Sequence, residues 1–124
     1  MTKRKSKQLA DFIAFCIDEK KGYEINVHDV SKLTDIATYF VVASVDSDIQ
    51  MRATANWIED ELRDRGLRIS HKEGFKALEW VILDYFDVIV HLFLPEKRLF
   101  YQLEKMWSDA KTSRFISEEN KEIK

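Results

Sequence analysis

Residues 73–93 read EGFKALEWVILDYFDVIVHLF, and the fold of the whole chain turns on how this stretch pairs with itself. It is a strongly apolar β-hairpin pattern interrupted by one Trp, two Asp and one His. Successive strand residues face opposite sides, so the first question is whether the polar members share a side. With Tyr85 and Phe86 as a two-residue turn, Asp84 faces Asp87, Ile82 faces Ile89 and Trp80 faces His91. One face then carries Trp80, Ile82, Asp84, Asp87, Ile89, His91 and Phe93. The other carries Val81, Leu83, Val88, Val90 and Leu92 and is purely aliphatic. An aliphatic face belongs under helices, whereas a face mixing Trp, Asp and His is expected to stay accessible for use.

Upstream of the hairpin, Leu9, Phe12, Ile13, Cys16 and Ile17 recur at helical spacing, which predicts an amphipathic helix over 7–20 that Gly22 ends. Residues 23–30, YEINVHDV, alternate and predict a strand with one wet side. Residues 39–44, YFVVAS, are almost all apolar and predict a central strand. Ser47 and Gln50 form a capping box for a helix whose stripe is Met51, Ala55, Ile58 and Leu62, stopping at Gly66. A short strand over 67–73 precedes the hairpin. Pro95 then sets the first turn of a last helix with Leu99, Leu103, Met106 and Ala110 as its buried stripe. The order α-β-β-α-β-β-β-α implies an α/β domain built on a mixed five-stranded sheet with one βαβ crossover. A single domain over 1–111 is expected, with 112–124 as a mobile tail.

The chain has 124 residues, enough for a core that needs neither disulfide nor metal, and its one Cys16 has no internal partner. No apolar run approaches the roughly 20 residues of a membrane span, and MTKRKSKQ lacks the apolar segment of a secretory signal. A soluble cytoplasmic protein is expected. The formal net charge of −2, from 20 Lys and Arg against 22 Asp and Glu, does not advertise nucleic-acid binding. Any such contact has to be local: Lys3, Arg4, Lys5 and Lys7 form a short basic arm that either reaches phosphates in RNA or, more commonly, keeps a terminus soluble. Three Gly and one Pro in the chain leave no phosphate-binding loop.

Chemistry has few other footholds. Asp46 and Asp48, at x and x+2 before a helix, have the spacing of a Mg²⁺-binding nucleotidyltransferase pair, but Asp and Ser at a helix start equally serve as caps. No Gly-Ser turn precedes them, and capping is the expected role. His28, His71 and His91 fall on different strands without ligand spacing, so no metal site is expected. No Ser or Cys sits in a nucleophile elbow. Trp80 stands out, because its neighbours Val81 and Leu83 already fill the covered face. On the last helix Tyr101 falls about 200° from Leu99, beside Arg98 and Lys105, on the side expected to be exposed. Trp57 lies about 100° off its own helix's apolar stripe, open either to an interface role or to folding back over the stripe edge.

These residues resemble the ribosomal silencing factor, or Iojap, family. The resemblance runs through Tyr39-Phe-Val-Val-Ala-Ser44 and Ala53-Thr-Ala55. It continues through Glu73-Gly74, Trp80, Asp84, Asp87-Val88, Val90-His91 and Phe93, then Arg98, Tyr101, Leu103-Glu104 and Trp107. It covers about residues 7–110, and the middle block carries it. Thr38, Val45, Gln50 and Phe86 depart from the pattern; Phe86 stands where the family has the Gly of its D-x-G-D turn. The resemblance implies a nucleotidyltransferase-like fold without catalytic residues and a non-enzymatic role. In that role the protein binds the large ribosomal subunit through ribosomal protein fourteen, blocks joining of the small subunit and represses translation. It implies Trp80 as aromatic anchor and Asp84 and Asp87 as partners for basic groups, with His91, Arg98 and Tyr101 as further contacts; no cofactor is implied. A nucleotidyltransferase-like enzyme using Asp46 and Asp48, or a large-subunit assembly factor, are the alternatives. A homodimer formed through an uncovered sheet face is also compatible with the pattern.

Overall fold

The computed structural model describes residues 1–101, 105 and 110–116. In chain order the elements are α1 (Lys3–Glu19), β1 (Tyr23–Asp29), β2 (Tyr39–Ser44), α2 (Asp48–Asp64), β3 (His71–Glu73), β4 (Trp80–Asp84), β5 (Val88–Phe93), α3 (Pro95–Tyr101) and β6 (Lys111–Arg114). They build one mixed sheet of six strands in the order β3-β4-β5-β2-β1-β6. Only β2 and β5 pair in parallel; the other four ladders are antiparallel. The connection from β2 through α2 therefore leads to a parallel strand, β3, that lies two places beyond β5, with β4 between them.

The expected sheet has one strand too few. Residues 111–114, placed by the sequence at the edge of a tail, pair with β1 instead. Alternation could not reveal this strand: Lys111, Thr112, Ser113 and Arg114 are all exposed and carry no apolar face. The same strand corrects the wet side expected for β1. Asn26 and His28 are buried, because the Arg114 Nε donates to Asn26 Oδ1 at 2.8 Å and Thr112 Oγ1 lies 2.7 Å from His28 Nδ1. These polar groups go under β6 only as satisfied pairs. Residues 117–124, the rest of the expected tail, lie outside the described residues.

Both long helices sit on one face. The aliphatic side of the hairpin joins Tyr39, Val41 and Ala43 of β2 and Ile25 and Val27 of β1 beneath Ile13, Ile17, Met51, Ile58 and Leu62. Burial of this set is the main source of stability, at about 25 cal/mol per Å² of apolar surface. The α2 boundaries are those the sequence announces. Ser47 accepts from the Gln50 N–H at 3.1 Å, and the Leu67 N–H closes the far end on the Leu62 carbonyl at 2.8 Å. Gln50 departs slightly from a capping box, taking the Asp46 N–H at 2.8 Å and so tying down the residue before the cap.

Two helix ends differ from expectation. α1 begins at Lys3, with Thr2 as its cap, so the basic residues form its first two turns and not a free arm. At its C-terminus the left-handed residue is Lys21, at φ 69°, one position before Gly22. In α3, Leu99 is 74% exposed, contrary to its place on an expected buried stripe. The helix is held instead through Arg98, whose Nη1 donates to the Glu24 carbonyl at 2.8 Å and to Ser44 Oγ at 3.0 Å. Leu103 and Met106 of that stripe, and Trp107, lie outside the described residues. No helix among the described residues is long and apolar enough to cross a membrane.

Candidate functional site

The second face of the sheet is not the open surface that the alternation suggests. Val30, Ala37, Phe40, Val42, Ile89 and Phe93 form a smaller buried cluster there, against which Trp80, Ile82 and Ala110 pack. His91 is only 7% exposed. What remains accessible is the outer strip, made by β3, β4 and the β4–β5 turn. Trp80, Ile82 and Asp84 are half-buried, His71 and Glu73 are exposed, and Phe86 at the tip is 70% exposed.

The turn decides the register. Tyr85 is buried on the helix-covered face, and the chain reverses one residue later than expected, around Phe86. The Asp87 N–H donates to the Tyr85 carbonyl at 2.9 Å, and Phe86 sits between them at φ 68°. That is the rare, strained form of γ-turn. The Asp84 carboxylate holds it, accepting the Phe86 N–H at 2.7 Å. Trp80 consequently faces Phe93 and Ile82 faces His91, two positions from the expected pairing, and Asp84 faces Ile89 in place of Asp87. A shift of two preserves the side each residue points to, so both faces of the strands survive the change.

Trp80 lies over an aromatic floor. Its ring stacks on Phe93 at 5.1 Å between centroids and 18° between planes, and its Nε1 donates to His91 Nδ1 at 3.2 Å. That bond ties the indole N–H to the imidazole edge and fixes the orientation of the Trp80 ring. Phe40 meets the edge of the same imidazole at 5.0 Å. His91 is thus a positioning residue beneath Trp80, and its burial takes it off the contact surface. From below the strand, Gly74 fits against Trp80 so closely that an added Cβ would stand 2.0 Å from the Trp80 carbonyl oxygen, at a φ of +91°.

The remaining candidates separate. Asp84 and Asp87 stand at the far end of β4, roughly 13 Å from Trp80 at 3.3 Å per residue. Asp87 also ties the turn to the loop before β2, its carbonyl accepting from Thr38 and Tyr39 at 2.8 and 3.0 Å. Arg98 belongs to the Trp80 end, on the row Trp80, Phe93, Ser44, but serves as the clamp for α3. The side chain of Tyr101 lies outside the described residues. Trp57 folds back over the stripe edge, with its Nε1 on Glu19 at 3.1 Å and Lys20 over its ring. Phe86 and the exposed His71–Glu73 pair, 2.8 Å apart, were missed as members of the strip. The one sequence signal for Phe86 was an aromatic residue at a glycine position.

Asp46 and Asp48 are engaged locally. Asp46 accepts the Tyr23 hydroxyl at 2.7 Å, which pushes the phenol up to about 12, and Asp48 accepts the Ile49 N–H at 2.8 Å within the first turn of α2. Among the described residues no group of three His, Cys, Asp or Glu side chains is arranged to hold a metal ion.

Comparison with known proteins gives a consistent result. A family model described as "Ribosomal silencing factor during starvation" matches residues 3–124. The Ribosomal silencing factor RsfS of Bacillus subtilis is 35% identical over 104 residues, 84% of this chain and 88% of that protein. The Chromobacterium violaceum protein of the same name is 38% identical over 97 residues, covering 78% and 80%. The chloroplastic protein Iojap of Zea mays is 33% identical over 101 residues, 79% of this chain but 42% of that longer protein. A crystal structure of a Chromobacterium violaceum protein, 34% identical, superposes with a TM-score of 0.79 over 94% of this chain and 95% of that one.

Proposed function

The chain belongs to the ribosomal silencing factor family, whose role is in translation regulation, and from that premise we propose how it acts: it binds the large ribosomal subunit through ribosomal protein fourteen and sterically blocks joining of the small subunit. The observation that supports this reading most is the outer strip of the sheet. Trp80 is a half-exposed indole fixed on a rigid aromatic floor, the kind of preorganised ring that anchors protein interfaces at low entropic cost. Asp84 at the end of the same strand and Asp87 in the turn after it are the carboxylates proposed to meet basic groups on a ribosomal protein. No chemistry is needed at the surface. A folded 14.7 kDa body seated where the subunits meet excludes the other subunit by occupancy.

The division of labour is specific. Trp80 supplies buried apolar contact, Asp84 and Asp87 supply orientation and rate of encounter, and His91 holds the indole. Arg98 acts at one remove, by seating α3 beside the Trp80 row. The test is co-sedimentation of the protein with purified large subunits carrying or lacking ribosomal protein fourteen. Trp80→Ala is expected to abolish co-sedimentation and Asp46→Ala with Asp48→Ala to preserve it. If the paired Asp variant loses the activity and Trp80→Ala keeps it, the surface around α2 acts in place of the strip and the proposal is wrong.

A further inference from the structure

α1 opens against its own dipole. Its first turn contains no acidic residue, and Lys3, Arg4, Lys5 and Lys7 occupy its first two turns, where the helix N-terminus disfavours cations. α2, in the same chain, starts conventionally with Ser47 and Asp48. The basic cluster extends beyond the helix. Lys3 is 2.8 Å from the Asp29 carboxylate at the end of β1, Asp29 faces Lys111 across the β1–β6 ladder, and Asp29 also receives the hydroxyl and N–H of Ser31, the residue before the exposed Lys32. Lys3, Asp29 and Lys111 thus meet at one corner, with Arg4, Lys5 and Lys7 on the first two turns of α1 and Lys32 one residue past Ser31, in a chain whose net charge is −2. Lys3 and Lys7 are held by Asp29 and Asp11. Arg4, Lys5, Lys32 and Lys111 are exposed and have no ion pair among the described residues.

The geometry points to this corner as a second contact surface, one that binds the phosphate backbone of ribosomal RNA while the Trp80 strip binds protein. The inference rests on the proposed ribosomal role for its choice of RNA, and on the charge for the contact itself. The corner and the β4–β5 turn are neighbours, because the loop following Asp29 and Ser31 ends at Thr38, whose N–H is bonded to the Asp87 carbonyl. Acidic and basic surfaces thus adjoin at one end of the sheet: carboxylates at the hairpin tip for a basic protein, cations at α1, Lys32 and Lys111 for phosphates. Asp29 and Asp11 keep two of the cations fixed, so the surface is shaped as well as charged. Contact of this kind reads no sequence; it adds affinity, steers encounter and fixes orientation.

The test is fluorescence anisotropy of the whole protein with a labelled RNA duplex of about 20 base pairs, between about 50 and 200 mM salt. Binding is expected at the low end, with log K falling against log salt at a slope of roughly −3.6 if Arg4, Lys5, Lys32 and Lys111 are all engaged. Arg4→Glu, Lys32→Glu and Lys111→Glu together are expected to lower affinity at least tenfold and flatten the slope, with an unchanged melting temperature as the control for folding. Arg4→Lys with Lys32→Arg and Lys111→Arg should retain binding. Trp80→Ala should leave the RNA duplex bound while abolishing co-sedimentation with subunits, which keeps failure of the two readings apart. Absence of RNA binding at low salt overturns the inference. So does equal binding by the triple charge reversal, or binding to anionic phospholipid vesicles in place of RNA.

Discussion

Asp84 has two separable duties, and one substitution series divides them. Its carboxylate accepts the Phe86 N–H at 2.7 Å and so holds an exposed aromatic residue at φ 68°, a conformation that costs a non-glycine residue about 1 kcal/mol. Asp84→Ala removes the acceptor, and the loss of a comparable cap elsewhere is about 0.5–2 kcal/mol. We expect about 1.5 kcal/mol. With an unfolding entropy near 2.1 cal/mol/K per residue over 124 residues, that lowers Tm by about 6 °C. Asp84→Asn keeps an acceptor oxygen and should lie within about 2 °C of the parent, yet it loses the charge proposed for docking. The assay is thermal melting by circular dichroism, paired with subunit co-sedimentation. Phe86→Gly supplies the cross-check: with strain at position 86 removed, Asp84→Ala should cost about 1 kcal/mol less, a coupling that a double-mutant cycle resolves. A melting temperature for Asp84→Ala within about 1 °C of the parent, or an undiminished effect in the Phe86→Gly background, would refute the reasoning.

Three further outcomes follow from packing and charge. Gly74→Ala places a Cβ 2.0 Å from the Trp80 carbonyl at φ +91°, so urea denaturation should show a loss of about 3 kcal/mol or more, together with a shifted Trp80 fluorescence. Cys16 is fully buried, and burial first, then Glu19 and Glu61, push its thiol up to about 12; a thiol reagent at pH 8 should label it only at the rate of unfolding, and rapid native labelling would contradict the packing of α1. Partial burial raises the Asp29 carboxyl, but hydrogen bonds from Lys3 and Ser31 outweigh it and bring the group down to about 2 from its ordinary 3.8. A depressed acid stabilises the fold above its unfolded value and loses that contribution as pH falls toward 2. Asp29→Asn should therefore cost about 1 kcal/mol at pH 7, after allowance for solvent screening, and nothing below about pH 2, as read from denaturation midpoints across pH.

Local chemistry was legible in the residues alone. The helical stripe Met51, Ala55, Ile58, Leu62 and the alternation Val81, Leu83, Val88, Val90, Leu92 depend only on period, and both lie in the main core. The capping of α2 by Ser47 depends on neighbours three residues apart and is equally readable. The block from Glu73 to Phe93 carried the family. What could not be read locally was what lay across from each element. The side of Trp80 follows from strand parity, but its opposite partner depends on whether Tyr85 enters the core or the turn, and the core's demand for Tyr85 decided it. The four polar residues of β6 have no pattern of their own; they are a strand because β1 offers a free edge and His28 and Asn26 need partners.

The residue sequence by itself determined the elements from α1 through α3, which way the side chains of those strands point, and the family to which the chain belongs, because these rest on spacing within one segment. Only the tertiary structure decided that His91 lies under Trp80 and not beside it on the surface, that the second sheet face narrows to an outer strip, and that Lys3 meets Lys111 across Asp29 at one corner. Burial and charge clustering are sums over segments distant in the chain, and no single segment contains them.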